Sequence, residues 1–300
     1  MKSIQNLFFQ NLNNNYLFEK SPKIAIAVSG GPDSMCLAIL LNNWIKKNKG
    51  DLIALIINHQ LRKESDVEAI QVKKYLSDLK IKSNIIKINK KNIFKKNMKE
   101  ARDNRFYKLI QYCSRKKILH LFIGHHYDDN LETFLLRKIA GSNFYGLRSI
   151  QEKLYHKNLQ VIRPLLNIKK KEIIKFNKTN NIFYVIDKSN EDLKYSRVII
   201  RKFLLNNLNH KKKIEKDLIK INYYLPYYLK MIFHIFNEIC IILKPSSITI
   251  NFNNYFKEDM EVRIKIIDII YKYLMPNRNP LRYKKILNLL EILKKSEVLK

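Results

Sequence analysis

The 300-residue chain is short of the residues that staple, bend or anchor a backbone: three cysteines, six glycines, seven prolines and one tryptophan. Cys36, Cys113 and Cys240 are odd in number, far apart and form no C-x-x-C pair. That argues against a disulfide framework or a zinc knuckle, and for a reducing cytoplasm. No apolar run approaches the roughly 18–20 residues of a membrane span, so no membrane association is expected. Met1–Lys20 lacks a basic start followed by an apolar stretch and a small-residue cleavage site, so no secretory signal is expected. The same segment is poor in Arg and Ser and makes a poor transit peptide. Acidic residues are scarce, 26 against 58 Lys and Arg, giving a net charge of +32. Such an excess favours a polyanion, because each neutralised phosphate releases counterions. The charge is spread along a chain also rich in Asn and Ile, as AT-biased coding would give. It therefore names a class of partner and not a site.

Short apolar runs alternate with amphipathic stretches over the first half. Ile24–Val28, Leu52–Ile57, Ser83–Ile88 and Leu119–Ile123 read as strands; Met35–Lys47, Glu64–Leu79, Lys99–Lys116 and Asp128–Ile139 read as helices. The pattern predicts an α/β fold, a parallel sheet flanked by helices, followed by a smaller, mainly helical domain. Helices are expected at Lys169–Lys178, Tyr195–Leu208, Ile214–Ile221, Leu225–Leu243, Asp259–Tyr273 and Pro280–Lys295, with a strand at Ser247–Phe252. Asn209–Lys213 is polar and basic and reads as a linker, which places the domains at 1–208 and 209–300. In parallel sheets ligands bind at the carboxyl ends of the strands. The polar clusters there are Ser29–Ser34, Asn58–Arg62, Lys99–Arg105 and Gly124–Glu132.

The first cluster carries the most chemistry. In Ser29-Gly30-Gly31-Pro32-Asp33-Ser34, two glycines after a buried strand allow a sharp turn and close approach of backbone to ligand. The following helix start offers N–H groups to an anion, and two serines add hydroxyls. A carboxylate beside a phosphate is repulsive unless a cation lies between, so Asp33 suggests Mg²⁺. No Lys follows the glycines, which excludes the Walker loop, and the G-x-G-x-x-G spacing of dinucleotide folds is absent. Asp129 and Glu132 stand i, i+3 on one helix face; solvated first-turn acids would look the same. Asp128 reads first as an N-cap. His125-His126 makes a poor zinc site, because adjacent side chains diverge and no Cys is near. Arg105, Arg197 and Arg201 could be surface residues, and His59 could be structural. Tyr223, Tyr224, Tyr227 and Tyr228 sit at helical spacing and are expected in a core or an interface.

Ser29–Ser34 resembles the S-G-G-x-D-S pyrophosphate loop of the N-type ATP pyrophosphatases, which include NAD, GMP and asparagine synthetases and tRNA-modifying enzymes. Further segments are similar to the tRNA(Ile)-lysidine synthase family. They are Asn58-His59-Gln60-Leu61-Arg62 with Ser65 and Glu68, Ala101–Phe106, Gly124–Thr133, Arg163-Pro164-Leu165-Leu166, and Asp187–Asn190 with Asp192, Tyr195, Arg197 and Arg201. They run in family order from Ser29 to Arg201. Phe106 stands in place of Tyr, and three further departures matter more: Asn58 for Asp, Ala140–Asn143 for R-G-S-G, and Val198 for Asn.

The resemblance implies ATP and Mg²⁺ as co-substrate and metal, and free lysine and a CAU-anticodon tRNA(Ile) as partners. ATP would adenylate C2 of the wobble cytidine, and the lysine ε-amine would displace AMP to give lysidine. It implies that Ser29, Gly30, Gly31, Pro32, Asp33, Ser34, His59 and His125 hold ATP, with Asp33 at Mg²⁺. Asp129 and Glu132 would receive lysine, while Arg105 and Arg201 would contact phosphate or carboxylate. The nearest rival is a tRNA thiolase, which needs a reactive Cys; Cys36 is expected to be buried. Oligomeric state stays open, a homodimer included.

Overall fold

Apolar β-prone runs bounded by turn residues become strands, and the 3.6-periodic stretches between them become the crossover helices. The computed structural model describes residues 3–58, 64–88, 98–186, 194–276, 281 and 283–297. Six strands form one sheet: β1 (Lys23–Val28), β2 (Asp51–Asn58), β3 (Lys82–Lys87), β4 (His120–Ile123), β5 (Lys153–His156) and β6 (Leu159–Ile162). Their order is β3-β2-β1-β4-β6-β5. All neighbours are parallel except the β5–β6 hairpin at one edge. The chain builds outward from β1 to β3, then crosses back to place β4 on the other side of β1. That reversal puts the topological switch point at the carboxyl ends of β1 and β4, where a crevice opens.

Alternate residues of β1 face opposite sides of the sheet. Ile24, Ile26 and Val28 pack with Met35, Leu37, Leu40 and Leu41 of α2 (Pro32–Lys47). The same core takes in Phe8 and Leu12 of α1 (Ile4–Asn15), Val72 and Leu76 of α3 (Ser65–Asp78), and Ile173 of α6 (Lys170–Thr179). Ala25 faces the other way, with Leu55, Leu121 and Val161, against Leu109 and Cys113 of α4 (Met98–Arg115). Both faces are covered, so the central strands read as continuous apolar runs. Each fully buried Leu, Ile or Phe contributes roughly 1.5–3 kcal/mol. Between β4 and β5 runs α5 (Tyr127–Ile139), and α7 (Ser196–Asn206) follows α6.

Two elements of the first region escape periodicity. α1 is expected nowhere in the sequence reading; the Ser3 side chain caps it by accepting the Asn6 N–H. The β5–β6 hairpin is as short as β4, but its edge strand Lys153–His156 is mixed polar and apolar and mostly exposed, so it lacks the apolar run that marks β4.

The expected linker at Asn209–Lys213 is helix. α8 runs unbroken from Leu208 to Ile239 with Pro226 inside it, where two helices were expected. Compact units divide within α8, at Glu215/Lys216, rather than at 208/209, and residues 141–148 cluster with the second unit. The reason is local: Lys211 and Glu215 bond to Asp128 and Tyr127, which ties the first turns of α8 to the first unit.

The second unit has its own core: Ile232, Phe236 and Ile239 of α8 with Tyr255, Ile266, Ile267, Ile286 and Leu290. It contains the hairpin β7 (Cys240–Lys244) and β8 (Ser247–Ile250), then α9 (Phe252–Lys257), α10 (Met260–Leu274) and α11 (Tyr283–Glu297). Cys240–Leu243, expected at the end of a helix, is strand because it pairs with Ile248–Ile250. Of the four tyrosines on α8 only Tyr228 turns inward, against Phe144. Tyr223, Tyr224 and Tyr227 are exposed, so of the two expected positions, core or interface, the core is excluded for them. No described helix is long and apolar enough to cross a membrane.

Candidate active site at the switch point

β1 ends at Val28 and the loop Ser29–Ser34 turns straight into α2. Gly30 has φ +83°, and a Cβ there would lie 2.9 Å from Val72 Cγ2. Only glycine suits both the dihedral and the space. The Gly30 carbonyl accepts the Val185 N–H at 2.9 Å. Ser34 Oγ donates to the Gly31 carbonyl at 3.0 Å and accepts the Ser29 N–H at 3.2 Å, which closes the loop on itself. Gly31 is the N-cap and Pro32 the first helical residue, so α2 begins with no side chain over its first amides. Those amides and the positive end of the helix dipole form an anion cradle. From below, fully buried Asn177 donates to the Pro32 carbonyl at 2.9 Å.

The second half of the site follows β4. Gly124 lies against the loop: a Cβ there would meet Asp33 C at 3.2 Å and Ser34 N at 3.3 Å. A side chain at 124 would push the two segments apart. His126 is the N-cap of α5, and its backbone N–H donates to Asp129 Oδ2 at 3.0 Å. Its buried imidazole is the centre of an acidic ring. Nε2 lies 3.7 Å from Asp33 Oδ1 and 3.5 Å from Asp129 Oδ2, and Nδ1 lies 3.8 Å from Asp128 Oδ2. His126 Nδ1 has no hydrogen-bond partner.

Two lysines answer the acids. Lys170 Nζ reaches Asp33 Oδ1 at 2.5 Å and Lys211 Nζ reaches Asp128 Oδ1 at 3.3 Å. Asp128 is not the N-cap of its own helix. It accepts the Lys170 N–H at 2.8 Å and so holds the start of α6. Burial pushes the Asp128 carboxyl up, but the Lys170 N–H and the Lys211 charge outweigh it and hold the group below the ordinary carboxylate range.

Deeper along α5, Glu132 is 1% exposed and accepts both prongs of Arg201, Nε at 2.7 Å and Nη2 at 3.3 Å. Burial raises the Glu132 carboxyl above its ordinary value, against the pull of Arg201. The Glu132 hydrogen bond holds Arg201 firmly protonated, and the fields of Asp129 and Asp33 add to it. Arg197, one turn earlier on α7, donates to Thr133 Oγ1 at 3.2 Å.

The structure thus gathers Ser29, Gly30, Gly31, Pro32, Asp33, Ser34, Asp129, Glu132 and Arg201 at one crevice, with His125 at its edge. Glu132, expected beside Asp129 to receive an amine, is occupied by Arg201 in this conformation. Arg105 stands half-buried on α4, the helix that covers the opposite face of the sheet from α2. His59, with Gln60–Arg62, and the Asp187–Asp192 segment lie outside the described residues. His126 as the hub, the two lysines and Arg163 carry no local sequence signal that marks them as site residues. Arg163 is 8% exposed, donates through Nε to His125 Nδ1 at 3.1 Å and through Nη1 to the Gln151 carbonyl, and so orients His125. Only the family resemblance, through R-P-L-L, hints at it. Asn58 is 2% exposed and donates to Asp66 Oδ1 at 2.6 Å. An ionised Asp, usual there in the similar family, could not donate that bond. Val198 is buried on α7, where an apolar side chain suits the packing.

Among the described residues no group of three His, Cys, Asp or Glu forms a metal cage. Mg²⁺ is usually held by one or two carboxylates with substrate phosphates supplying the rest. Asp33, a single carboxylate in the first turn after the phosphate loop, fits that pattern.

A glycine-turned loop feeding a helix, with an aspartate in its first turn at the switch point of a parallel sheet, defines a PP-loop domain. The family model described as PP-loop domain matches residues 1–208, and the chain belongs to that family. Within it the chain is similar to tRNA(Ile)-lysidine synthases. It is 42% identical over 200 residues to that of Wolbachia pipientis wMel, covering 66% of this chain and 46% of the relative. It is 38% identical over 201 residues to that of Orientia tsutsugamushi (strain Boryong), covering 67% and 45%. The chain spans about half the length of these curated relatives. Among solved structures, the U34-tRNA thiolase of Methanococcus maripaludis with its [4Fe-4S] cluster matches with a TM-score of 0.63 at 21% identity. The match covers 74% of this chain and 78% of that one, a likeness of fold.

Proposed function

We propose that this chain is a lysidine-forming enzyme: it adenylates a wobble cytidine of a CAU-anticodon tRNA(Ile) with ATP and joins free lysine to C2. The observation that carries the reading is the meeting of Asp33, from the phosphate loop, and Asp129, from the acidic helix start, on the single buried imidazole of His126. The similarity to tRNA(Ile)-lysidine synthases over about two thirds of the chain supports it.

The geometry supports the following roles. The first amides of α2, with Ser29 and Ser34, receive the β- and γ-phosphates that leave as pyrophosphate. Asp33 is the residue that would hold Mg²⁺, which would supply charge neutralisation between that acid and the phosphates. Lys170 neutralises Asp33 and moves to a phosphate oxygen when nucleotide arrives. The cytidine O2 attacks the α-phosphorus and pyrophosphate departs, so a poor leaving oxygen becomes a good one. The lysine ε-amine, with an ordinary pKa of about 10.4, must lose a proton before it attacks C2. Asp129, whose side chain keeps 15% of its surface open, holds the ammonium and accepts that proton. The C2–O bond breaks and AMP leaves. Glu132 acts through Arg201, fixing a guanidinium fork for phosphate or lysine carboxylate oxygens.

Thiolation fits less well. Cys36 and Cys113 are fully buried, and burial pushes both thiols up to about 12, the reverse of what a sulfur carrier needs.

The test is a reaction of purified protein with ATP, Mg²⁺, lysine and a CAU-anticodon isoleucine tRNA transcript, the wobble nucleoside read by mass spectrometry. A gain of one lysine less one water, dependent on ATP, is expected. Pyrophosphate release without that product would overturn the lysine assignment, and no release at all would overturn the ATP assignment.

A further inference from the structure

We propose that the outward face of α8 in the second unit is a stacking platform for unpaired RNA bases. Tyr223, Tyr224 and Tyr227 are 62%, 55% and 61% exposed. Large aromatic surface left in water is costly unless something covers it. The rings are mutually ordered: Tyr223 meets Tyr224 edge-on at 5.1 Å and Tyr227 at 5.8 Å. The inward tyrosine of the same segment, Tyr228, packs against Phe144, so the fold does not need the other three for its core.

The charge around the rings selects the occupant. Lys216 and Lys220 precede them and Lys230 follows them at spacings of three or four residues, all exposed. That spacing places lysines and tyrosines along one helical stripe. No Asp or Glu occurs from Leu218 to Asn237. A second copy of this chain would bring the same lysines against themselves, since a two-fold interface pairs a patch with itself. A polyanion with π-faces satisfies both halves of the stripe: lysines take the backbone, tyrosines take bases. Duplex RNA hides its bases in its own stack, so the ligand is single-stranded, as in a loop or an end. This extends the tRNA reading above by naming a surface for it. The assay below uses neither ATP nor lysine, so its failure leaves the catalytic proposal untouched.

The experiment is fluorescence anisotropy of a labelled oligouridylate titrated with the full chain, across a range of salt. Tyr223→Ala/Tyr224→Ala/Tyr227→Ala should bind at least about tenfold more weakly, the effect of losing one stacked base or more, with an unchanged salt slope. The corresponding Phe triple should bind like wild type, because stacking does not need the hydroxyl. Lys220→Ala should lower the salt slope by about 0.7 for one phosphate lost. Equal affinity of the Ala triple and wild type would overturn the proposal. So would sedimentation in which the Ala triple dissociates a wild-type dimer while its RNA affinity stays the same.

Discussion

Lys170 Nζ lies 2.5 Å from Asp33 Oδ1, joining residues 137 positions apart in sequence. One partner opens the helix after the phosphate loop and the other opens α6, so the ion pair closes the crevice where nucleotide is proposed to bind. Both side chains keep substantial exposure, 38% and 26%, and such pairs contribute at most about 1 kcal/mol to stability. Lys170→Ala should therefore leave the melting temperature nearly unchanged. The KM for ATP should rise by about tenfold, worth ~1.4 kcal/mol of phosphate contact, as measured by pyrophosphate release. An unchanged KM would mean that Lys170 only neutralises Asp33.

Asp33→Ala tests the acid itself. Pyrophosphate release should fall by at least about a hundredfold, as for removal of a charge-stabilising group. Binding of tRNA, measured without ATP, should stay close to wild type because the basic surface is widespread. Near-normal release by this variant would remove Asp33 from the site.

The two glycines of the loop should separate cleanly. Gly30→Ala combines φ +83° with a 2.9 Å approach to Val72, and should cost about 1–3 kcal/mol together with ATP use. Gly31 has φ −72°, and a Cβ there has Ser29 Oγ at 3.5 Å as its nearest neighbour. Gly31→Ala should shift stability by no more than about 0.5 kcal/mol. Urea denaturation of both variants decides; equal losses would refute the argument.

Glu132 and Arg201 should behave as one unit. Glu132→Ala removes a buried carboxylate but leaves a guanidinium that is 41% exposed and can find water. The loss should therefore be about 1–3 kcal/mol, below that of a fully buried broken pair. If Glu132 works through Arg201, Glu132→Ala and Arg201→Ala should lower the rate of lysine transfer by similar factors and the double variant by little more. Fully additive losses would show that Glu132 has a task of its own, such as receiving the amine.

The pH dependence of stability carries two opposite signs. Asp128 titrates lower folded than unfolded, so its stabilisation is present above its unfolded pKa and is lost as pH falls through the folded value. Glu132 titrates higher folded than unfolded. Its contribution is full below the unfolded value, near 4.5, and is lost as pH rises through the folded value. Asp128→Asn should flatten the acid limb of a plot of unfolding free energy against pH. Glu132→Gln should remove the decline that begins just above 4.5. Unchanged limbs in either variant would contradict the corresponding assignment.

The central sheet was legible because both its faces are buried, which makes each strand a continuous apolar run flanked by turn residues. The phosphate loop was legible because its chemistry is local: turn, amides, serines and acid all lie within Ser29–Ser34. Asp129 and Glu132 could be picked out but not told apart, since helical spacing gives a shared face and not a depth. The continuous α8 was misread because a basic run and a proline look like a break. Tertiary bonds from Lys211 and Glu215 override that local signal.

Sequence alone determined the fold class, the anion-binding loop and the family resemblance, since these rest on periodicity and on contiguous residues whose chemistry is short-range. Only tertiary structure decided that His126 centres three carboxylates, that Lys170 meets Asp33, that Arg163 orients His125 and that Glu132 is sealed beneath Arg201. The pairs His126–Asp33, Lys170–Asp33, Arg163–His125 and Arg201–Glu132 join separate crossover units of the sheet. Their distances are set by strand order and helix packing, which no spacing along the chain encodes.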